Sequence, residues 1–397
     1  MTRNETVARA APARESKAAG ASDRAPPHPF PPVMEPLTSV RFLLALGVVL
    51  FHYQLMWTLP PEAAGLLNRA RLGVDVFFIL SGFILAHVYL QGEGPPDYRR
   101  FIVARFARVY PAHAAIMLGM LVMVLGAGLV GVGLEPGRFN APDFIQSMLL
   151  TQAWFPRSTM VLWNGPAWSL SAEWFAYLIF PVYAWIALRL RDRPVVLIAL
   201  AIALFAVLDA GYRMAFGVIL PRAEDNLGVL RILPEFLFGI GLYFLGQRLR
   251  LSSRTAIAAV ILASLAMLAA MQAALDDRLI VALAGPLILS LALLAKSGAR
   301  TFLSNPVWLF AGEASYALYL VHIPLVMVWR NAMQALLGLD GDYRMSPLEL
   351  AALLALTLAA AAVIHIAVEQ PGRRLLRRWL NRPGARAGAP LTQGETG

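Results

Sequence analysis

The segment RFLLALGVVLFHY, residues 41–53, sets Arg41 and His52 at the two ends of a run that is apolar from Phe42 to Phe51. Both residue types carry chemistry. A neutral imidazole can take the proton of a hydroxyl as that hydroxyl attacks a carbonyl. A guanidinium presents a planar fork of donors matched to phosphate oxygens. On a helix the eleven steps between them, at about 1.5 Å each, give a separation of about 16 Å, so the two do not pair with each other. An ionisable side chain inside a membrane-spanning helix costs a few kcal/mol or more unless it is paired or solvated, and each one is a functional candidate by default.

Two carboxylates qualify on the same ground: Asp75 in LGVDVFFILSGFIL and Glu173 in WNGPAWSLSAEWFAYLIFP. Counted along helices entering from the outer face, His52, Asp75 and Glu173 fall at similar depth, where a carboxylate beside the imidazole would stabilise its protonated form. The alternative is a polar network that fixes helix packing. DYRRFIVARFARVYPAH supplies Arg99, Arg100, Arg105 and Arg108 ahead of a proline that would start the third span; Arg105 and Arg108 share a helical face suited to phosphate. Topology alone also calls for arginines there.

His322, in SYALYLVHIPL, lies mid-span beside Pro324, which frees backbone groups of the preceding turn; packing and substrate contact are its two readings. His365 has Glu369 one turn on, and Arg231 and Glu235 are four apart and can neutralise each other. His87 and His113 carry no assigned role. Trp154, Trp163, Trp168 and Trp174 can stack on sugar rings, although tryptophan also favours membrane interfaces.

These residues need helices to hold them. The 397 residues are 58% hydrophobic and 15% charged, with mean hydropathy +0.62, against roughly 45–50% apolar in soluble domains. The chain therefore reads as an all-α polytopic membrane protein. Apolar runs of roughly 17–25 residues fall at 37–57, 72–91, 111–134, 168–189, 194–212, 229–247, 254–274, 279–295, 308–331 and 347–368, a bundle of about ten transmembrane helices. The stretch 141–155 is amphipathic and too short to span. Residues 1–36 read as a disordered tail, 37–370 as one membrane domain, and 371–397 as a basic cytoplasmic tail. Lys and Arg alternate between connections, 23 in one set and nine in the other, which predicts both termini cytoplasmic. The same rule accounts for most of the net charge of +10; no basic run interleaved with aromatics points to nucleic acid. The absence of cysteine excludes disulfides, thiolate metal sites and a cysteine acyl-enzyme.

RFLLALGVVLFH, GVDVFFILSGFIL, RRFIVARFARVYP, WSLSAEWFAYLIFP, PEFLFGIG, SYALYLVHIPL and VEQPGRRLLRR, in this order and spacing, together resemble the integral-membrane acyltransferase family 3, the bacterial sugar O-acyltransferase type. Two positions depart from the family pattern: Trp174 stands where a second acidic residue or glutamine is frequent, and His365 where an aromatic such as tyrosine is usual. The resemblance implies transfer of an acyl group, most often acetyl, from cytoplasmic acyl-coenzyme A to a hydroxyl of a carbohydrate, lipid-linked glycan or glycosylated metabolite. It also implies a place in the bacterial cytoplasmic membrane among membrane lipids. Acyl-CoA is then a co-substrate, with no tightly bound cofactor and no metal expected. In that frame Arg41, Arg105 and Arg108 hold the donor, His52 is the general base, Asp75 or Glu173 orients it, and His322 and Trp168 contact substrate. The competing readings are a transporter of an envelope component, against which the chain has no inverted halves, and a non-catalytic assembly partner.

Overall fold

The computed structural model describes residues 29–54, 61–92, 94–129, 137, 139–157, 163–338 and 344–380. Its helices are α1 (Glu35–Tyr53), α2 (Pro61–Arg69), α3 (Gly73–Tyr89), α4 (Tyr98–Leu129), α5 (Ala141–Met148), α6 (Trp168–Leu178), α7 (Phe180–Leu190), α8 (Pro194–Phe216), α9 (Val229–Arg248), α10 (Ser253–Gln272), α11 (Asp277–Lys296), α12 (Pro306–Leu337), α13 (Pro347–Ile364) and α14 (Gln370–Leu380). Among the described residues nine helical stretches are long and apolar enough to cross a membrane, and the bent pair around α6 and α7 makes a tenth. Local sequence sets many of the ends. Ser252, Asp276, Asn305 and Ser346 cap the helices that follow them, Ser346 in a reciprocal box with Glu349.

Three spans depart from the sequence expectation. Pro111 does not start the third span: α4 begins at Tyr98 and runs through the proline, so Arg105 and Arg108 sit on the helix itself. The fourth span is not one helix; it bends by 60° between α6 and α7, at Pro181, which lies in the first turn of α7 and cannot donate to the preceding turn. The last span passes through a π-helical turn, His365–Glu369, into α14, so the boundary at 371 falls inside a continuous helical run. At the other end, Phe30 is buried against Phe83 and Tyr243, so packed residues precede the expected boundary at 36. The remainder of both expected tails, 1–28 and 381–397, lies outside the described residues. The short segment near 141–155 forms α5, as an amphipathic non-spanning piece should.

α3 and α9 form the centre, with 72% and 78% of their apolar windows buried, while α8 and α10 have 22% and face outward. The central crossing depends on glycine. A Cβ on Gly239 would stand 1.9 Å from the carbonyl oxygen of Ile79, and one on Gly82 would stand 2.0 Å from that of Phe236. Lipid tails are as apolar as leucine, so helices gain by close backbone approach, which only small residues permit. A second crossing, of Gly312 in α12 on the carbonyl of Thr38 in α1, is equally tight at 2.0 Å, and it lays the helix of His52 against the helix of His322. Replacement of Gly239 by Val should therefore remove most monodisperse protein in detergent size-exclusion chromatography, whereas Gly119→Val, with nothing within 4 Å, should leave the yield unchanged.

Candidate active site

The arginines separated in sequence converge. Arg41 from α1 and Arg105 and Arg108 from α4 line one cavity of about 160 Å³ together with Glu173 of α6. A stripe of α3 from Val74 through Phe78 and Ser81 to Leu85 forms one wall, a helical face about 16 Å long at about 1.5 Å per residue. Arg108 is ion-paired to Glu369 and lies over the ring of Tyr316 at 5.6 Å. Arg105 lies over Tyr89 at 5.6 Å, with its Nε buried and unbonded. Arg41 is enclosed in the field of Glu173 and Glu313. Neither Arg41 nor Arg105 has an ion-pair partner among the described residues. Two of the three cavity guanidiniums thus hold no direct ion pair among the described residues.

The histidines form a separate pair. His322 is fully buried, and its Nδ1–H donates to the carbonyl of Tyr319 at 2.7 Å. His52 Nδ1 is 2.9 Å from the carbonyl of Val48 and 3.1 Å from His322 Nε2. Carbonyls only accept, so both Nδ1 atoms carry the hydrogen; His322 Nε2 is then a lone pair, and His52 Nδ1–H is shared between it and Val48. That network assigns the remaining lone pair of His52 to Nε2, the form a general base needs. Pro324 has the predicted effect on α12. It deprives the carbonyl of Leu320 of its helical donor, and the side chain of Asn164 supplies one at 3.1 Å. The Tyr53 hydroxyl, bonded to Thr357 and donating to the carbonyl of His322, ties α1, α12 and α13 together at the same level.

Asp75 and Glu173 do not stand beside His52. Asp75 is fully buried in a two-pronged ion pair with Arg231, whose Nε is 2.7 Å from Oδ1 and whose Nη2 contacts Oδ2. Arg231 is thus spent on Asp75 and not neutralised by Glu235 of its own helix. Glu173 accepts from Ser81 at 2.6 Å and belongs to the arginine cavity. Asn164, buried and bonded to mid-α12, starts α6 already inside the bundle, so Glu173 lies deeper than a count from the membrane surface places it. Trp168 is also corrected: it is buried, packed edge-on against Phe78 and under Arg231 at 5.1 Å, and has no open face for a sugar. Trp163 is buried as well. His365 donates to Glu369 at 2.9 Å, the local pairing its spacing implied. His52 does not line the cavity. Tyr319 connects the two groups, since its ring lines the cavity and its carbonyl holds His322.

A family model described as "Acyltransferase domain", that of acyltransferase family 3, matches residues 37–366. The chain belongs to this family. It is 30% identical over 385 residues to the acyltransferase MdmB of Streptomyces mycarofaciens, covering 90% of this chain and 95% of the relative. It is also 30% identical over 191 residues to Protein 2 in the picA locus of Rhizobium radiobacter, 44% of this chain and 94% of that one. The peptidoglycan O-acetyltransferase OatA of Listeria monocytogenes matches at 24% over 182 residues, 42% of this chain and 27% of the relative. No solved structure matches. The protein is a multi-pass membrane O-acyltransferase.

Sequence reasoning missed Asn164, Tyr319 and Ser169 in this acyltransferase. The Tyr319 hydroxyl bonds Ser169 at 2.8 Å and donates to the carbonyl of Pro166 at 2.8 Å. Asn-Gly-Pro at 164–166 was the available signal for a tight backbone feature, and Asn164 adopts the left-handed region, φ 46°. The Asp75–Arg231 pair yields a stability prediction. Removing one partner strands a buried charge, so Asp75→Ala should destabilise the acyltransferase by about 3–5 kcal/mol. The double variant Asp75→Leu/Arg231→Met should recover most of that loss in thermal unfolding in detergent.

Proposed function

We propose that the protein transfers an acyl group, acetyl as the first choice, from acyl-CoA to a hydroxyl of a carbohydrate or glycosylated metabolite, in the bacterial cytoplasmic membrane. The observation that carries this reading is the convergence of Arg41, Arg105 and Arg108 on one cavity, with two of them unpaired among the described residues. Coenzyme A is a cytoplasmic polyanion, and its phosphates match guanidinium forks. Its thin pantetheine arm fits the long α3 wall, which runs away from the arginines. Gly73, at the far end of that wall, packs on Leu44 and Val48 of α1, one turn short of His52. The lysine and arginine alternation puts the arginine end on the cytoplasmic side. The O-acetyltransferase name of the Listeria relative, and the polymer in it, support a sugar hydroxyl as acceptor.

In this reading His52 Nε2 removes the acceptor hydroxyl proton as the oxygen attacks the thioester carbonyl. The carbon–sulfur bond breaks, and the proton passes from the imidazolium to the departing thiolate. Among the described residues no carboxylate partners the imidazole; the Val48 carbonyl and the His322 lone pair orient it and stabilise its positive charge. Direct transfer suits a chain with no cysteine.

His52→Ala should lower acetyl transfer to sugar acceptors at least about 100-fold while acetyl-CoA binding, measured by calorimetry, stays near wild type. Arg41→Ala should instead weaken that binding. Transfer retained by His52→Ala overturns the assignment of the base. Orientation is separately testable because the chain lacks cysteine. A cysteine at Ser253 should react with a membrane-impermeant maleimide only in permeabilised cells, and one at Leu275, at the other end of α10, in intact cells.

A further inference from the structure

α14 is more than a basic tail. Gly372 seats on Pro111 of α4 so closely that a Cβ there would stand 2.6 Å from the proline Cβ, while Leu375 and Trp379, 68% and 64% exposed, turn away from the bundle. The helix is pinned at its start by Glu369, which pairs with Arg108 and His365, and by Gln370, whose side chain lies 3.0 Å from His365 Nε2. One turn apart on this anchored helix, Arg373 and Arg377 share a face. Arg373 acts electrostatically on Arg108, as Arg41 and Arg105 do. Arg377 is half-buried within the field of Arg373 and Arg105, and its Nε is shielded from water with no hydrogen-bond partner. Arg373 and Arg377 thus stand within the field of the cavity arginines Arg105 and Arg108 without lining the cavity itself. Among the described residues three carboxylates lie near these four and Arg41: Glu369 is committed to Arg108 and His365, Glu173 accepts from Ser81, and Glu313 acts with Glu173 on Arg41, so positive groups still outnumber negative ones. Like charges brought out of water repel, and such a cluster is held together most economically by a polyanion that inserts between its members.

We infer that Arg373 and Arg377 of α14 are part of the donor site and hold the phosphates at the nucleotide end of acyl-CoA, beyond the reach of Arg41. The inference rests on the acyl-CoA reading above and adds to it the last helix of the chain, docked on α4 beside the cavity that α1, α3, α4, α6 and α12 line. The pinning contacts explain why this helix can bind at all. Glu369, Gln370 and Gly372 fix its start against α4, so the two arginines are presented on a rigid face and lose little freedom when a phosphate arrives. Arg373 is exposed, as are Arg374 and Arg378 one residue further round the same helix; the latter two provide a control of equal charge.

The test is equilibrium binding to the full-length protein in detergent, with acetyl-CoA and acetyl-pantetheine as the two probes; the second carries the same thioester arm without any phosphate. Arg373→Gln/Arg377→Gln should weaken acetyl-CoA by about tenfold or more, the scale of one or two lost charge-assisted hydrogen bonds, and leave acetyl-pantetheine unchanged. Arg374→Gln/Arg378→Gln should alter acetyl-CoA affinity less than about twofold. Undiminished acetyl-CoA binding by Arg373→Gln/Arg377→Gln overturns the inference while the acyl-CoA reading stands. So does an equal loss in Arg374→Gln/Arg378→Gln, which makes the effect one of general surface charge, or an equal loss of both probes, which makes it one of folding. Absence of acetyl-CoA binding by the wild-type protein overturns the acyl-CoA reading and this inference with it.

Discussion

The ion pair of Asp75 with Arg231 is the interaction on which the interior depends. Hydrocarbon offers a charge no solvent, so each of these groups is tolerable only with the other in place. Asp75 lies in the first turn of α3 and Arg231 in the first turn of α9, and their two-pronged bond sets the register of the crossing that Gly82 and Gly239 bring into backbone contact. Trp168, lying over the guanidinium, brings the start of α6 to the same place. From there Glu173 and Tyr177 follow about one and a half and two and a half turns along, on the cavity wall. A pair that itself neither lines the cavity nor stands beside His52 thereby positions the residues that form the cavity.

The two chemical ends of the site are kept apart for a physical reason. Guanidinium groups favour water or anionic partners, and they collect where α4 and α14 meet. Under the general-base proposal the imidazole must stay neutral, and His52 is enclosed by aromatic and aliphatic neighbours such as Phe51, Val48 and His322. α1 bridges the two environments with one residue in each. Tyr319 does the same on α12, its ring facing the cavity and its carbonyl fixing His322.

Proline and glycine recur at the points where this arrangement leaves regular geometry. Pro324 opens a carbonyl that Asn164 then uses to hold the entry to α6. Pro111 bends no span into two, yet it gives Gly372 a flat seat for α14. In both cases a missing or minimal group in one helix creates the attachment point for a distant segment.

Much of this was legible in one dimension. Apolar runs determine the helices and their number because the backbone must satisfy itself in hydrocarbon, and the placement of Arg41, Arg105, Arg108 and His52 in apolar or helical context marks them as costly and therefore as functional candidates. The His365–Glu369 pairing and the effect of Pro324 are local, and local spacing is enough to foresee them. Partner choice across helices was not legible. Asp75 meets Arg231 and not His52, and Glu173 meets Ser81 and the arginines, because depth depends on where each helix starts inside the bundle, and α6 starts deep. Trp168 reads as a surface aromatic until the fold buries it. That α14 docks on α4 is likewise a product of tertiary packing, since a run of arginines after the last span looks the same in sequence whether it is solvated or docked.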